Sequence, residues 1–354
     1  MQRKFEGDGN AYQEIEFEQV QEPNAYSSIE PNPVPERPNS YGDFEYEMPI
    51  EVLLEFPKEN VHQKSIIGEG TFGKVARAEA WKLAGKEGPT IVALKTLKDN
   101  ATGEDKKSLL DEFELLKHIG RHKHILSLVG CCTKTDDIYM LFEYMELGNL
   151  QDYLRKSRNC IATEYLEAGE TSPILTSGDL IIFAGQVASG MEYLSSKKCV
   201  HGDLAARNVM LNGGRICKVT NFGRDLRSHN NVKEGSQRVR WMAPEAIQAS
   251  EFSTKSDVWS FGIVVWEIVT IGHTPYPRMS DNEVKAYLKQ GGRMKKPAYC
   301  DGDLYLLVMK CWSEKPKRRP KFKEIASELE EMELDKEVYI DIKGAYEEKI
   351  TTTE

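Results

Sequence analysis

A glycine-rich stretch limits the folds that this chain can adopt. In "IIGEGTFGKV" (66–75), Gly68, Gly70 and Gly73 have the spacing G-x-G-x-x-G. A dinucleotide-binding fold needs a helix directly after such glycines, but "KVARAEAW" (74–81) alternates between apolar and polar residues, as a strand does. The pattern predicts a strand, a glycine turn and a second strand, and argues against a dinucleotide-dependent oxidoreductase. Such a turn either lays backbone N–H groups over phosphates or is a plain glycine hairpin.

The negative charge of the chain is concentrated at its N-terminal end. Residues 1–50 contain eleven acidic and three basic residues, a net charge of −8, whereas residues 51–354 contain 45 acidic and 44 basic residues. The near-neutral remainder lacks the basic surplus of a non-specific nucleic-acid-binding protein, so no nucleic acid is expected as a partner. The seven cysteines are scattered without the spacing of a zinc site or a disulfide framework, which predicts free thiols in a reducing compartment.

No stretch of the sequence has the pattern of a membrane-spanning helix. The first ten residues lack the apolar core of a signal peptide. The longest apolar run, "GIVVWEIVTIG" (262–272), is too short to span a bilayer and contains Glu267. We therefore expect a cytoplasmic location for the chain as given.

Both ends of the chain are predicted to be tails. Residues 1–56 are acidic and contain tyrosines and prolines among polar residues, so they cannot bury enough apolar surface to offset the entropy lost on ordering. Within them, "EPNPVPERP" (30–38) favours an extended polyproline-like conformation. Residues 336–354 resemble a second tail.

The packed part of the chain divides into a strand-rich half and a helix-rich half. An amphipathic helix is predicted at about 104–119 between two groups of strands, and a polar insert at about 155–177 between helices. Strands followed by helices favour an α+β fold with two lobes. The predicted boundaries are 57–145 for the first lobe and 146–335 for the second.

A lysine and a glutamate are predicted to pair inside the first lobe. In "TIVALKTLK" (90–98), alternation places Lys95 on an otherwise apolar face. Glu112 shares a helical stripe with Leu109 and Leu116. A charge on an apolar face is costly without a counter-charge, so the two side chains satisfy each other. The pair is either part of a ligand site or a purely structural ion pair.

The stretch "HGDLAARNVML" (201–211) carries the groups of a phosphoryl-transfer site. Asp203 and Asn208 lie five residues apart in a predicted loop, so that a carboxylate can take a hydroxyl proton while an amide oxygen binds a metal. Arg207 lies close enough in sequence to offset negative charge on a substrate.

Five motifs in order along the chain resemble the protein kinase signature: "GEGTFGKV", "VALK", "HGDLAARN", "NFG" and "APE". The versions "LAARN" and "RWMAPE" are those of tyrosine kinases. The stretches "DEFELLKHIGRHKHILSLVGCC" and "EYMELGNLQDYL" are most similar to receptor tyrosine kinases of the fibroblast-growth-factor-receptor type. The resemblance covers about 57–335. It implies an α+β, two-lobed protein kinase fold, with a small mainly-β N-lobe that has one helix and a larger mainly-α C-lobe.

The resemblance also implies a cofactor and a role for each matching residue. The chain would transfer phosphate from ATP, with Mg²⁺ or Mn²⁺, to protein tyrosine. Asp203 would be the catalytic base, beside Arg207, and Glu112 would hold Lys95 against the phosphates. Phe142 would be the bulky gatekeeper of the nucleotide pocket. The residues implied in ATP binding are Gly68, Gly70, Gly73, Val75, Ala93, Lys95, Glu143, Met145 and Met210.

Further residues would hold the metal or brace the site. Asn208 would bind the metal, and Asn221 would bind it weakly because it stands where the family has an aspartate. Asp257 would brace the catalytic loop at 201–208, and Glu245 would pair with Arg319.

Three departures from the family pattern leave the activity open. Gly202 replaces the arginine that reads a phosphorylated activation loop, and residues 224–242, where that loop lies, contain no tyrosine. Asn221 offers one neutral oxygen where a hard cation favours a carboxylate. The first hypothesis is a tyrosine kinase with weakened metal-dependent activity. The alternative is a pseudokinase that acts as a nucleotide-binding or interaction module in receptor tyrosine kinase signalling.

The tails predict partners for either hypothesis. Tyr26, Tyr46 and Tyr339 are phosphosite candidates that would recruit SH2-type adaptors, and "PERP" (35–38) matches the ligands of SH3 domains. A protein substrate, a partner kinase and a dimer are further expectations. The resemblance to receptors also allows a position at the inner face of the plasma membrane, as part of a longer chain.

Overall fold

The computed structural model describes most of the chain after its acidic N-terminal segment. The described residues are 55–70, 73–133, 138–164, 175–223, 237–335 and 338–342. For 159–164 and Gln237 the description covers the backbone alone. The phosphosite candidates Tyr26 and Tyr46, and the greater part of the loop at 224–242, lie outside the described residues.

The first lobe is built on a five-stranded antiparallel sheet, which agrees with the predicted strand-rich half. The strands are β1 (Val61–Glu69), β2 (Gly73–Trp81), β3 (Pro89–Leu97), β4 (Leu128–Cys132) and β5 (Tyr139–Glu143), in the spatial order β1-β2-β3-β5-β4. The glycine motif lies at the end of β1 and the start of β2. Gly70 donates its N–H to the Gly73 carbonyl at 2.7 Å, so the stretch that follows β1 is joined to the first residue of β2.

One helix, α1 (Gly103–Ile119), covers one face of this sheet. Strand alternation turns Val92 and Leu94 toward a cluster on the opposite face, whereas Ala93 and Leu97 pack toward α1. The helix begins at a capping box between Thr102 and Asp105. The sheet therefore presents the face that carries Lys95 to the face of α1 that carries Glu112.

The second lobe is mainly helical and encloses the largest apolar core. Its helices are α2 (Leu150–Glu164), α3 (Ser177–Ser196), α4 (Pro244–Ala249), α5 (Thr254–Val269), α6 (Asp281–Lys289), α7 (Gly302–Cys311) and α8 (Phe322–Leu334). Every residue of α5 from Ser256 to Val269 is buried, which explains why this helix is apolar on all sides. The helix α3 packs against α5 and α8. The two-lobed α+β fold is thus confirmed.

A small second sheet lies between the lobes and was not predicted. It consists of β6 (Gly148–Asn149), β7 (Val209–Leu211) and β8 (Cys217–Val219), in antiparallel order. Because β7 directly follows Asn208 and β8 directly precedes Thr220, this sheet holds the two stretches that carry the candidate catalytic groups side by side.

Two predicted segments differ from the structure at their edges. Residues 155–164 of the predicted polar insert are helical, because α2 continues to Glu164. The predicted C-terminal tail begins with packed residues: Ile340 is 1% exposed and pairs with Cys300. Tyr339 is buried, and its hydroxyl donates to the Asp335 carboxylate at 3.2 Å. A kinase could phosphorylate Tyr339 only after this segment leaves its place.

Two further expectations bear on the membrane and on the cysteines. Within the described ranges, no helix combines the length and the apolar composition that crossing a bilayer requires. The cysteines whose side chains the structure describes are buried, and none of them forms a disulfide bond.

Candidate active site

An ion pair joins the sheet to α1 at the mouth between the lobes. Lys95 Nζ lies 2.5 and 2.6 Å from the two carboxylate oxygens of Glu112. Lys95 is 8% exposed, so the pair forms where solvent screens the charges little. Its neighbour on β2 is Val75, two residues after the glycine turn. The predicted contact is therefore present, directly beneath the turn that is expected to cover phosphates.

The residues implied in adenine binding line the junction of the lobes. Ala93 pairs with the gatekeeper position Phe142 across β3 and β5. The Glu143 N–H donates to the Ser127 carbonyl at 3.2 Å, and the Met145 carbonyl accepts from the Gly148 N–H at 3.1 Å. A ligand at this hinge would therefore use the two other backbone groups, the Glu143 carbonyl and the Met145 N–H. Met210 lies on β7, where it pairs with Asn149 of β6.

The Glu143 side chain has a separate structural role. Its carboxylate accepts the Ser127 N–H at 2.7 Å and pairs with Lys218 Nζ at 3.0 Å. It therefore ties β5 of the first lobe to β8 of the second, so the contribution of Glu143 to a ligand is limited to its backbone.

The carboxylate of Asp203 is held on both of its oxygens. Arg207 donates to Oδ1 at 2.7 Å, and Asn208 Nδ2 donates to Oδ2 at 3.0 Å. The Arg238 guanidinium lies 3.4 Å from the same Oδ1 and also reaches the carbonyl of Gly202. Sequence reasoning missed Arg238. It lies 35 residues further along the chain, and nothing in its local pattern points to Asp203.

Hydrogen bonds to Asp257, on α5, hold the backbone of the loop that carries Asp203. The Asp257 carboxylate accepts the N–H of His201 at 2.8 Å and the N–H of Gly202 at 2.9 Å. Burial lowers the pKa of His201 to about 4, so its ring is neutral near pH 7. Its Nδ1 accepts the Asp203 N–H at 3.2 Å. A neutral ring can accept this bond, whereas a protonated ring could not.

A second buried carboxylate, Glu267, supports the same loop and was missed as a functional residue. Its Oε2 accepts from the Trp241 indole at 2.8 Å and from the Ala206 N–H at 3.0 Å, and its Oε1 accepts from Gln151 at 2.9 Å. Burial raises the pKa of Glu267. The Arg207 guanidinium stacks on the Trp241 ring at 4.4 Å. One signal was available: a glutamate inside the apolar stretch "FGIVVWEIV" (261–269) must find hydrogen-bond donors.

The pair implied between Glu245 and Arg319 lies on the far side of the same core. Arg319 is 2% exposed and reaches the Glu245 carboxylate through two nitrogens, at 2.5 and 2.8 Å. It also donates to the carbonyls of Ser313 and Lys255. This bidentate pair fixes the "APE" stretch to the segment that precedes α8.

Asn221 and Asn208 meet where the resemblance implies a metal. Asn221 Nδ2 donates to Asn208 Oδ1 at 2.9 Å. A divalent cation such as Mg²⁺ favours anionic oxygen ligands at this kind of site. The two amides are neutral, and the Asn208 oxygen already accepts a hydrogen bond from Asn221. This donor set therefore fits such a cation poorly.

Comparison with known proteins identifies the family. The model of the protein tyrosine and serine/threonine kinase family matches residues 61–329. The tyrosine kinase receptor Cad96Ca of Drosophila melanogaster is 43% identical over 293 residues, which are 81% of this chain and 38% of that protein. The fibroblast growth factor receptor homolog 1 of the same organism is 40% identical over 309 residues, 84% of this chain and 41% of that protein. The chain spans about two fifths of the length of these relatives. It belongs to the protein tyrosine and serine/threonine kinase family, and receptor tyrosine kinases are among its relatives.

Proposed function

We propose that this chain is a protein tyrosine kinase domain that transfers the γ-phosphate of ATP to protein tyrosine, with a rate lowered by Asn221. The observation that carries the proposal is the arrangement around Asp203, whose carboxylate is oriented by Arg207 and Asn208. An interaction module has no need of a carboxylate oriented in this way at the mouth between the lobes.

The residues present account for each step of such a transfer. Lys95, oriented by Glu112, binds the α- and β-phosphates, and the glycine turn covers them with backbone N–H groups. The tyrosine oxygen attacks the γ-phosphorus. The bond between the γ-phosphorus and the β–γ bridging oxygen breaks, and ADP leaves. Asp203 accepts the proton of the tyrosine hydroxyl. Arg207 is close enough to offset negative charge on the transferring group.

The metal dependence is expected to be weakened. Kinases of this family generally use ATP with Mg²⁺, which neutralises charge on the phosphates when bound. Asn208 and Asn221 would hold Mg²⁺ or Mn²⁺ here through neutral oxygens, and only after the hydrogen bond between the two amides opens. The loss of one anionic ligand is expected to cost roughly 3–5 kcal/mol of transition-state stabilisation, a rate loss of about 10²–10⁴.

A pseudokinase is the second candidate function. The observation that favours it is the hydrogen bond between the Asn221 and Asn208 amides, which engages the oxygen expected to bind a metal. In that case the domain would bind a nucleotide or a partner kinase in receptor tyrosine kinase signalling without transferring phosphate.

Loop phosphorylation on tyrosine is not expected to switch this domain. Gly202 has no side chain with which to read a phosphate, and residues 224–242 contain no tyrosine. Phosphorylation of the purified domain at Ser228 or Ser236, followed by a change in activity, would show that the loop is a switch that uses serine instead.

The wider assignments also remain proposals. The proposed domain boundaries are 57–335 for the kinase domain, with a tail at 1–56 and a tail at 336–354 whose residues 338–342 pack against the domain. Phosphorylated tyrosines in the tails, including Tyr26, Tyr46 and Tyr339, would recruit SH2-type adaptors, and "PERP" would recruit an SH3 domain. A dimer and a position at the inner face of the plasma membrane, as part of a longer receptor, are proposed because relatives of the chain are named as receptors.

The test is the transfer of labelled phosphate from ATP to a tyrosine polymer, with Mg²⁺ and with Mn²⁺. The wild type is compared with Asp203→Asn, which keeps the shape of the side chain but removes the base. We expect slow transfer by the wild type and none by the variant. Equal transfer by both would show that Asp203 is not the base. Silence of both with either metal would favour the pseudokinase.

A further inference from the structure

The turn that contains Asn221 is joined to the catalytic loop by three hydrogen bonds. The Thr220 N–H donates to the Asn208 carbonyl at 3.0 Å, and the Gly223 N–H donates to the His201 carbonyl at 3.2 Å. The third bond is between side chains, from Asn221 Nδ2 to Asn208 Oδ1 at 2.9 Å. Two of these three bonds therefore end on Asn208, the residue that also contacts Asp203.

The neighbours of the two amides fix which way each one points. Asn208 Nδ2 donates both to the Asp203 carbonyl at 2.7 Å and to the Asp203 carboxylate at 3.0 Å. Both partners are acceptors only, so the nitrogen of Asn208 must face Asp203 and its oxygen must face Asn221. Asn221 then has to turn its nitrogen, a donor, toward that oxygen. Asn208 is 7% exposed, so water competes little for these bonds.

An aspartate at position 221 could not take the place of this amide. The backbone of Asn221 has φ +62°, a left-handed conformation that asparagine and aspartate both tolerate, so the backbone does not select between them. The side chain does select. A carboxylate has no hydrogen to donate, and its anionic oxygen would face the Asn208 oxygen at hydrogen-bond distance. Two acceptors so close are stable only with a cation between them.

We propose that the Asn221–Asn208 amide pair replaces a divalent cation as the link between the 220–223 turn and the catalytic loop, so that this domain binds a nucleoside triphosphate without metal. The inference rests on the proposed function, because it places the nucleotide in the same site. It goes further by naming what organises that site. The amide pair would make nucleotide binding insensitive to chelation, whatever the rate of phosphate transfer.

The first test measures the melting temperature of the purified chain without nucleotide, in EDTA and with excess Mg²⁺. The wild type is expected to melt at the same temperature in both, within about 1 °C. Asn221→Asp replaces the donor by an acceptor, and should melt about 2–6 °C lower in EDTA and regain most of that loss with Mg²⁺. A wild type that gains stability from Mg²⁺ alone, or an aspartate variant that loses none in EDTA, would overturn the proposal.

Two further variants separate the amide pair from general effects of charge and of side-chain loss. Asn212→Asp adds the same charge in the turn between β7 and β8, where Asn212 Oδ1 accepts the Gly214 and Ile216 N–H groups and aspartate keeps an oxygen for them. The melting temperature of Asn212→Asp should not rise when Mg²⁺ replaces EDTA. A rise equal to that of Asn221→Asp would count against the proposal. Asn221→Ala loses the donor without adding charge. It should melt lower than wild type in both conditions, and it keeps the test valid if the aspartate variant does not fold.

The second test measures the binding of a fluorescent ATP analogue to the same proteins. The wild-type Kd should differ by less than about threefold between EDTA and Mg²⁺. The Kd of Asn221→Asp should be more than about tenfold higher in EDTA than in Mg²⁺, because without the cation its carboxylate repels the phosphates. A wild type that needs Mg²⁺ to bind would overturn the inference and leave the kinase proposal standing. If no variant binds the analogue in any condition, the proposed function itself fails, and with it the metal-free binding that rests on it. The melting temperatures then still report whether the amide pair forms.

Discussion

Glu267 is an ionisable side chain in a fully buried stretch of α5, and its three donors come from three parts of the chain. Removing the carboxylate in Glu267→Ala leaves the Trp241, Ala206 and Gln151 donors unpaired in the core. We expect a loss of about 3 kcal/mol or more in the free energy of unfolding, and a slower transfer reaction because the Ala206 N–H holds the catalytic loop. Denaturant unfolding measures the first effect.

The conservative variant Glu267→Gln separates the acceptor from the charge. A glutamine oxygen can still accept from Trp241 and Ala206, and its amide nitrogen can donate to Gln151 once that side chain turns over. The expected loss is less than about 1 kcal/mol. The exposed Glu251→Ala is the control and should have no effect. If Glu267→Gln were as unstable as Glu267→Ala, the charge itself would be what the fold requires.

Two buried histidines predict how stability depends on pH. Burial lowers the pKa of His124 and the pKa of His201 to about 4, from an ordinary value of 6.5. Between these values the unfolded chain binds more protons than the folded one, so stability is full above pH 6.5 and is lost as the pH falls toward 4. Each histidine should cost about 2 kcal/mol between pH 7 and pH 5.

The variant His124→Gln tests this dependence. Its amide can still donate to the Cys217 carbonyl, which His124 Nδ1 contacts at 3.1 Å, but it does not titrate. Melting temperatures from pH 7 to pH 5 should fall less steeply for the variant than for the wild type, because His124 no longer titrates, whereas His201 and the partly buried His122, whose pKa burial also lowers, still do. Equal slopes for the two proteins would show that His124 does not contribute.

For single residues, a role could be predicted from the sequence where a short periodic pattern determines the contact. The contact between Lys95 and Glu112 followed from two periodicities, because each placed a charge on an apolar face. Arg238 and Glu267 could not be assigned in this way. Their partners lie 35 and 61 residues away along the chain, and only the folded backbone brings them to Asp203 and Ala206.

Among the elements, α1 carries the glutamate of the site and begins at an exposed capping box. The Thr102 side chain accepts the Asp105 N–H, and the Asp105 carboxylate accepts the Thr102 N–H. Thr102→Ala should therefore cost about 1 kcal/mol in the free energy of unfolding. Ser108→Ala, within the same helix, is the control and should be neutral or slightly stabilising, because alanine has the higher helix propensity. An equal loss for both would exclude the cap as the cause.

The elements that sequence patterns missed are the shortest ones. Alternation predicted the long strands β2 and β3, since nine residues give several periods. The strands β6, β7 and β8 have two or three residues each, too few to show a period. They nevertheless place Asn208 beside Thr220, so the geometry of the site depends on elements that have no local signature.

For the whole molecule, the C-terminal segment at 338–342 is part of the packed domain. The Asp301 N–H donates to the Tyr339 carbonyl, and the Asp341 N–H donates to the Tyr299 carbonyl, both at 2.8 Å. Ile340 fills the adjoining core. This packing could not be predicted from the acidic, polar composition after residue 335, because two buried side chains hardly change the average composition of the segment.

Ile340 and Val338 form a matched pair for testing this segment. Ile340 is 1% exposed and Val338 is 73% exposed. Ile340→Ala should lower the free energy of unfolding by about 2–4 kcal/mol, and Val338→Ala by less than about 0.5 kcal/mol. Denaturant unfolding of the two variants makes the comparison. Similar small losses for both would mean that the segment is not docked in solution.

The most direct test of the whole account is the rate at which the chain transfers phosphate from ATP to a tyrosine polymer in Mg²⁺, before and after Asn221→Asp. Under the proposed function, the domain retains its base at Asp203 and lacks only an anionic metal ligand. We therefore expect the aspartate variant to transfer phosphate faster than the wild type by about 10²–10⁴. A variant no faster than the wild type would show that Asn221 is not what limits this domain.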